Sequence, residues 1–284
     1  MDNMQKIPVF FTFDANYLLA AKVAIHSMMK HASRQYWYEL YVFHTTLSPK
    51  AQQSLRNSLK EFTHTELHFI DVTQYNEKIK NFGTKAHYSK EIFYKLIATD
   101  VLPQYDRIIC SDVDVVFTGD FSPVFFMFPN EKFYYAGVGP VENSRMPYYR
   151  KDFSTTEMEI LEHEIAAGFL LINLKELRND HKQEEIINFY VNNYPRLRLP
   201  EQDCIILTCW PYIKYLPIDY SLPISFYRLN MNQRDFYQGN TEFAGDKATA
   251  LAKLIKDWHI PYKFIMQVST NRGIVSGSPD GKTG

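Results

Sequence analysis

Short runs of β-branched and aromatic residues alternate, through the first half of the chain, with segments whose apolar positions recur at helical spacing. That alternation calls for a mostly parallel sheet with crossover helices. Ile7–Phe13 reads as the first strand, and Asp14 or Asn16 as the cap of a helix in which Leu18, Ala21, Ile25 and Met28/Met29 form the packed face. Tyr38–Phe43 is a second strand. Ser48-Pro49 is a cap followed by a first-turn proline, ahead of a stripe of Leu55, Leu59 and Phe62. Glu66–Ile70 is a third strand. A helix from about Ser89 to Val101 places Ile92, Phe93, Leu96 and Ile97 on one side before Pro103 ends it. The strand Arg107–Cys110 then delivers the chain to Ser111-Asp112-Val113-Asp114, with Val115-Val116-Phe117 continuing in extended form.

After Gly119 the strands are separated by longer excursions: Phe133–Gly139, Gly168–Leu174 and Ile213–Pro217, with helical stretches near Lys175–Asn192 and Gln202–Cys209. The pattern predicts a second half continuous with the first, over residues 1–275 as one domain. The polar segment Asn143–Glu164, with Tyr148, Tyr149, Arg150 and Lys151 together, reads as a mobile lid or, more plainly, as a solvated surface loop. Ser276–Gly284, rich in Gly, Ser, Pro and Asp, is expected to be a disordered tail.

Composition narrows this picture. With 284 residues, 45% hydrophobic and 22% charged, a sizeable core is affordable. A formal charge of −1 gives no field of one sign, so nucleic acid is not an expected partner. Three cysteines, Cys110, Cys204 and Cys209, have no CxxC spacing, which argues against a disulfide framework and a structural zinc site. No stretch approaches the about 18–20 apolar residues of a membrane span, so the expected location is cytoplasmic, with any membrane contact peripheral.

The acids of Asp112-Val113-Asp114 are two apart, so an extended backbone points both carboxylates to one side and Val113 into the core. In open α/β sheets ligands sit beyond the carboxyl ends of strands, where these acids fall. Two hard oxygens can hold magnesium or manganese with positions left open for a pyrophosphate. The bland alternative is that the acids solvate a strand end.

Several ordered motifs then resemble one family. The stretch from Glu91, EIFYKLIATDVLPQYDRIICSDVDVVFTGDFSPVF, is similar to the central signature of glycosyltransferase family 8, the glycogenin and galactosyltransferase group. IPVFFTFDANY at 7–17 resembles its uridine-binding strand and turn, and IAAGFLLINL at 165–174 and EQD at 201–203 resemble its later motifs. The resemblance implies an α/β fold of the GT-A type, which binds nucleotide sugars on a central, mostly parallel mixed sheet flanked by helices. It divides the chain at about residue 118 into a nucleotide-binding and an acceptor-binding half.

The same resemblance assigns roles. Thr12, Asp14, Asn16 and Tyr17 would grip the uridine, Tyr17 by stacking; their alternative is a strand end with a helix cap. Lys95 stands where the family usually has arginine, facing donor sugar and phosphates, and loses the bidentate fork; on structure alone it would be an ordinary exposed helix lysine. Asp112, Val113, Asp114, Ala167 and Gly168 would line the donor. Ala166 stands where asparagine is usual, and Glu142 aligns with a sugar-binding acid. Gln202 would lie close to the sugar's anomeric carbon, with Asp203 as the alternative for that face; the plain reading is a helix cap. Glu201 replaces the usual aspartate. His259 would join Asp112 and Asp114 on Mn²⁺ or Mg²⁺, and Lys263 would meet a phosphate, although the family's usual surrounding motif is not intact.

The function so implied is retaining transfer of a hexose from a UDP-sugar, UDP-glucose or UDP-galactose, to a glycan, glycolipid or glycoprotein. An amide at position 202 is a poor nucleophile, which favours front-side, ion-pair-like substitution over a covalent intermediate. Sugar-1-phosphate nucleotidyltransferases need a Gly- and Arg-bearing loop that Phe11–Tyr17 lacks, and the glycine-rich fingerprints of dehydrogenases and phosphate-loop NTPases are missing. A degenerate member that binds UDP-sugar or another protein without turnover is the alternative.

Overall fold

Strand β1 (Lys6–Thr12) is buried at every position after Lys6, as a continuous apolar run demands of a central strand covered on both faces. The computed structural model describes residues 4–80, 89–139 and 151–223 and the backbone of 265–267. On one side of β1 lie β2 (Trp37–His44) and β3 (Thr65–Asp71), and on the other β4 (Ile108–Ser111), all parallel. Beyond β4 come β7 (Phe169–Ile172), antiparallel to it, then β6 (Tyr135–Val138) and β8 (Ile213–Leu216). The order β3-β2-β1-β4-β7-β6-β8 makes a seven-stranded, mostly parallel mixed sheet.

Period-two alternation divides the core. Ile7, Val9 and Phe11 join α1 (Leu18–His31) on one face, through its buried Ala21, Ala24, Ile25, Met28 and Met29. Phe10, Ile108 and Cys110 face α6 (Lys182–Asn193) and α7 (Pro200–Cys209) on the other. Ser48 caps α2 (Pro49–Asn57) by accepting from the Ala51 amide, with Pro49 in the first turn, as its sequence predicts. All three cysteines are buried free thiols. Among the described residues no helix is long and apolar enough to cross a membrane.

Four local expectations need correction. The stretch after Ser89 is wound as a 3₁₀ helix over Lys90–Ile97 before one α-turn, α3 (Ala98–Val101). Phe93 to Thr99 are all buried, so packing rather than one apolar stripe sets the winding. The helical stretch after residue 174 is two helices, α5 (Leu174–Asn179) and α6, broken where His181 takes a left-handed φ of 51°. Val115–Phe117 is extended as expected, but this strand, β5, belongs to a second sheet rather than to that of β4, pairing with β10 (Ile265–Gln267), which in turn pairs with β9 (Leu222–Pro223). Part of the polar segment, finally, is α4 (Thr155–Leu161), where Ser154 and Glu157 form a reciprocal capping box. Residues 143–150 of that segment, Glu142 and the tail 276–284 lie outside the described residues.

Register brings the functional rim together. Phe11 pairs with Ser111 and Ser111 with Phe169, so the carboxyl ends of β1 and β4 and the amino end of β7 share one edge. The approach to β7 is tight. A Cβ on Gly137 would meet the Ala166 carbonyl oxygen at 3.0 Å and the Ile165 Cβ at 3.1 Å. Gly137→Ala is expected to lose about 1–3 kcal/mol through this overpacking, measured by denaturant unfolding; an unchanged midpoint would show that residues 165–166 yield freely.

Candidate active site

Asp112 and Asp114 fall in the bend where the chain leaves β4 for β5, rather than on one straight strand. The Asp112 amide donates to the Gly168 carbonyl at 2.8 Å, which ties the bend to the start of β7. Val113 is buried in the core, as alternation predicts. Both acids remain partly accessible at the rim.

Lys95 is the main surprise of the site: instead of pointing into solvent it is 2% exposed. Its ammonium lies 2.7 Å from Asp112 Oδ1 and 3.1 Å from Glu201 Oε1, and it donates to the Ala167 carbonyl at 3.1 Å. Burial by itself would strip the proton, but the Asp112 and Glu201 carboxylates outweigh it and hold the lysine charged, its pKa raised. The 3₁₀ turn, β4 and α7 are thereby fastened at one point. Glu201 Oε2 is buried and has no hydrogen-bond partner among the described residues.

A second fastening concerns Gln202. Its Oε1 accepts from the Ala167 amide at 3.2 Å and its Nε2 donates to Glu164 Oε2 at 2.9 Å. Ala167 therefore gives its carbonyl to Lys95 and its N–H to Gln202, while Gly168 gives its carbonyl to Asp112. Two residues of backbone thus hold Lys95, Gln202 and the Asp112 bend in register.

Asp203 lies elsewhere in the hydrogen-bond scheme. Fully buried, it accepts from the amides of Arg198 at 2.6 Å and Leu199 at 3.0 Å, so its carboxylate anchors the chain entering α7. Glu201, not Asp203, is the acid of this triplet that reaches the Asp112 side. At the end of β1, Thr12 donates to the Glu91 carbonyl at 2.6 Å, and Asp14 accepts from the Asn16 amide at 2.8 Å and from its side chain at 3.1 Å. Asp14 thus caps the 3₁₀ turn Ala15–Tyr17, with Asn16 exposed and Tyr17 half-buried beside it.

Among the described residues Asp114 has no ion-pair partner. Burial first, and the Asp112 charge second, push its carboxyl up to about 7, with Lys95 pulling the other way. Among the described residues no group of three or more His, Cys, Asp or Glu is disposed to hold a metal ion; His259 and Lys263 lie outside them. Sequence reading missed Glu164 and undervalued Glu201. The only signal was position, since Glu164 stands two residues before Ala166 and Glu201 directly before Gln202.

Residues 8–244 match the model of glycosyl transferase family 8. The chain belongs to that family. Against curated protein sequences no match is found. Among solved structures the bifunctional glycosyltransferase WbbM, in its apo form, superposes with a TM-score of 0.67 at 19% identity, over 88% of this chain and 44% of WbbM. The chain thus spans under half the length of that enzyme. An active-site glutamine-to-glutamate mutant of LgtC superposes with a TM-score of 0.65 at 16% identity, over 86% of this chain and 83% of the other. Mouse xyloside xylosyltransferase 1 gives 0.61 at 17% identity, over 83% and 93%. At such identities the likeness is one of fold, and it agrees with the GT-A-type α/β architecture expected from the sequence.

The raised pKa of Asp114 has a consequence for stability. A carboxyl that titrates higher in the folded than in the unfolded chain makes the native state bind more protons, so stability falls as pH rises between about 4 and about 7. Asp114→Asn removes that penalty. In metal chelator, the variant is expected to melt above the parent at the top of this window and to match it more closely at the bottom. Parallel pH profiles of melting temperature would show that Asp114 is not under this electrostatic strain.

Proposed function

We propose that the chain is a retaining hexosyltransferase that takes its sugar from a UDP-sugar, with UDP-glucose or UDP-galactose as first candidates, and delivers it to a glycan, glycolipid or glycoprotein, with residues 1–275 working as one unit. The observation that carries the reading is the clamped Gln202 amide, held beside the Asp112 bend by Ala167. A solved structure titled as galactosyltransferase LgtC in complex with donor and acceptor sugar analogs, at 16% identity and a TM-score of 0.62, shares the fold and is compatible with this reading.

Asp112 and Asp114 fit a hard divalent ion, Mn²⁺ or Mg²⁺: they offer carboxylate oxygens, and the strain on Asp114 marks a local excess of negative charge. When bound, such an ion would neutralise pyrophosphate charge and stabilise the departing UDP. His259 is the proposed third ligand and Lys263 a phosphate contact. In this reading Thr12, Asp14, Asn16 and Tyr17 form the uridine end, with the capped turn presenting Tyr17 for stacking. Lys95 does not reach for phosphate; with its ammonium held by three acceptors, it sets the position of Asp112. The orphan oxygen Glu201 Oε2 offers an acceptor to a sugar hydroxyl, which would satisfy it.

The chemistry asked of Gln202 is modest and geometric. Its amide is neither an acid nor a base near neutral pH and is a weak nucleophile, so it acts by dipole, stabilising positive charge on the sugar as the bond to UDP breaks. The acceptor's proton then passes to the leaving phosphate on the same face, which preserves configuration. Asp203, committed to backbone amides, serves the fold. A binding-only protein is the second reading, favoured by the engagement of Lys95 and by Ala166 in place of an asparagine; slow release of UDP from a UDP-sugar separates the two.

Gln202→Ala is expected to lower kcat by about 10²–10³ with little change in donor KM or melting temperature, because the dipole acts on charge that develops only in the transition state. Steady-state UDP release with Mn²⁺ measures it. Normal turnover in a variant that melts early would make Gln202 structural and overturn the assignment.

A further inference from the structure

Gln202 carries two ends of nearly equal shape, an oxygen that accepts and an NH₂ that donates, and a rotation of half a turn exchanges them. For a group that works by its dipole, that exchange reverses the sign of its effect. Something must therefore choose the orientation. The Ala167 amide chooses one end, since a backbone N–H can only donate and stands 3.2 Å from Oε1. The other end meets Glu164 Oε2 at 2.9 Å. Glu164 is 7% exposed, and in its ionised form its carboxylate only accepts, so the NH₂ faces it.

We propose that Glu164 is a positioning residue for the transfer reaction: its buried carboxylate locks the Gln202 amide in one orientation and polarises it. The proposal rests on the reading of Gln202 given above and deepens it. Both partners of the amide come from the same short stretch, residues 164–167, which runs from the end of α4 into β7. Within that stretch Ala166 offers no polar side chain. A carboxylate two residues earlier supplies what an alanine cannot, with a charge behind it. A hydrogen bond to a charged acceptor is about twice as strong as a neutral one and draws electron density toward the far end of the amide. The Gln202 oxygen becomes the more negative end and stays there.

A merely structural Glu164 would behave differently. Its loss would lower the melting temperature and leave the rate per folded molecule intact. A positioning Glu164 affects the rate, and only through Gln202. Glu164→Gln keeps the size and a hydrogen-bonding group but can accept or donate, so the Gln202 amide becomes free to flip.

The experiment measures kcat and KM for UDP release, metal-dependent UDP affinity and melting temperature for Glu164→Gln, Glu164→Asp, Gln202→Ala and the double variant Glu164→Gln with Gln202→Ala. Removing an outer-shell support typically costs 10–100-fold, so Glu164→Gln is expected to lose roughly that in kcat with unchanged UDP affinity and donor KM. Glu164→Asp should recover part of it. Once Gln202 is alanine, Glu164→Gln should cost nothing further. In parallel, the Gln202 side-chain NH₂ signal in ¹⁵N NMR, assigned by its loss in Gln202→Ala, should be shifted and slow to exchange in the parent and lose both features in Glu164→Gln, whatever the turnover. Full activity of Glu164→Gln, a cost that adds to that of Gln202→Ala, collapse of the fold, or an unmoved NMR signal overturns the proposal. If Gln202→Ala itself is fully active, it is the parent reading of Gln202 that fails.

Discussion

One ammonium holds the active end of this molecule together. Lys95 is buried between Asp112 and Glu201, and its three acceptors come from three parts of the chain that are far apart in sequence. Removing a charge from water costs several kcal/mol, and only close partners with good geometry return it. Here the geometry is supplied by strand pairing. β4 and β7 are in register at Ser111 and Phe169, so the residues just beyond, Asp112 and Gly168, must face one another, and Ala167 is set beside the lysine. The ion cluster is thus a consequence of the sheet and at the same time what closes its rim.

From that point the rest of the site follows. Ala167 also fixes Gln202, and Glu164 fixes the amide from the other side. Asp203 anchors the entry to α7, the helix that carries both Glu201 and Gln202. Satisfied groups do the holding, while two acids at the rim are under strain: Asp114, its pKa raised by burial and by Asp112, and Glu201, whose buried Oε2 has no hydrogen-bond partner among the described residues. A folded chain keeps such strain where a ligand relieves it. The transferase reading gives each a partner, a divalent cation for the first and a sugar hydroxyl for the second.

The sequence showed the architecture because the first four strands and α1 carry clean patterns: a buried run at Ile7–Phe13, a helical stripe through Ile25 and Met28, a cap at Ser48-Pro49. It also marked candidates for the ends of the site, since Asp112, Asp114 and Gln202 sit in recognisable motifs. What it could not show were partners made by long-range pairing. Nothing local distinguishes a buried Lys95 from an exposed one, because its helix is apolar on several sides and gives no stripe to read. Glu164 follows a short capped helix and looks like the end of a polar loop. The departure of β5 into a second sheet was hidden because Val115-Val116-Phe117 is as strand-like in one sheet as in another. Asp203 resembled a catalytic acid by position alone, and its bonds to Arg198 and Leu199 give it work in the fold.

The dependence of the whole rim on Lys95 is open to direct measurement by equilibrium denaturation of Lys95→Met. Methionine fills similar space but leaves Asp112 and Glu201 facing each other without a cation. Breaking a buried pair by removing one partner costs about 3–5 kcal/mol, so the variant should lose stability on that scale. A Lys95→Met protein as stable as the parent would contradict the central place given to this ammonium.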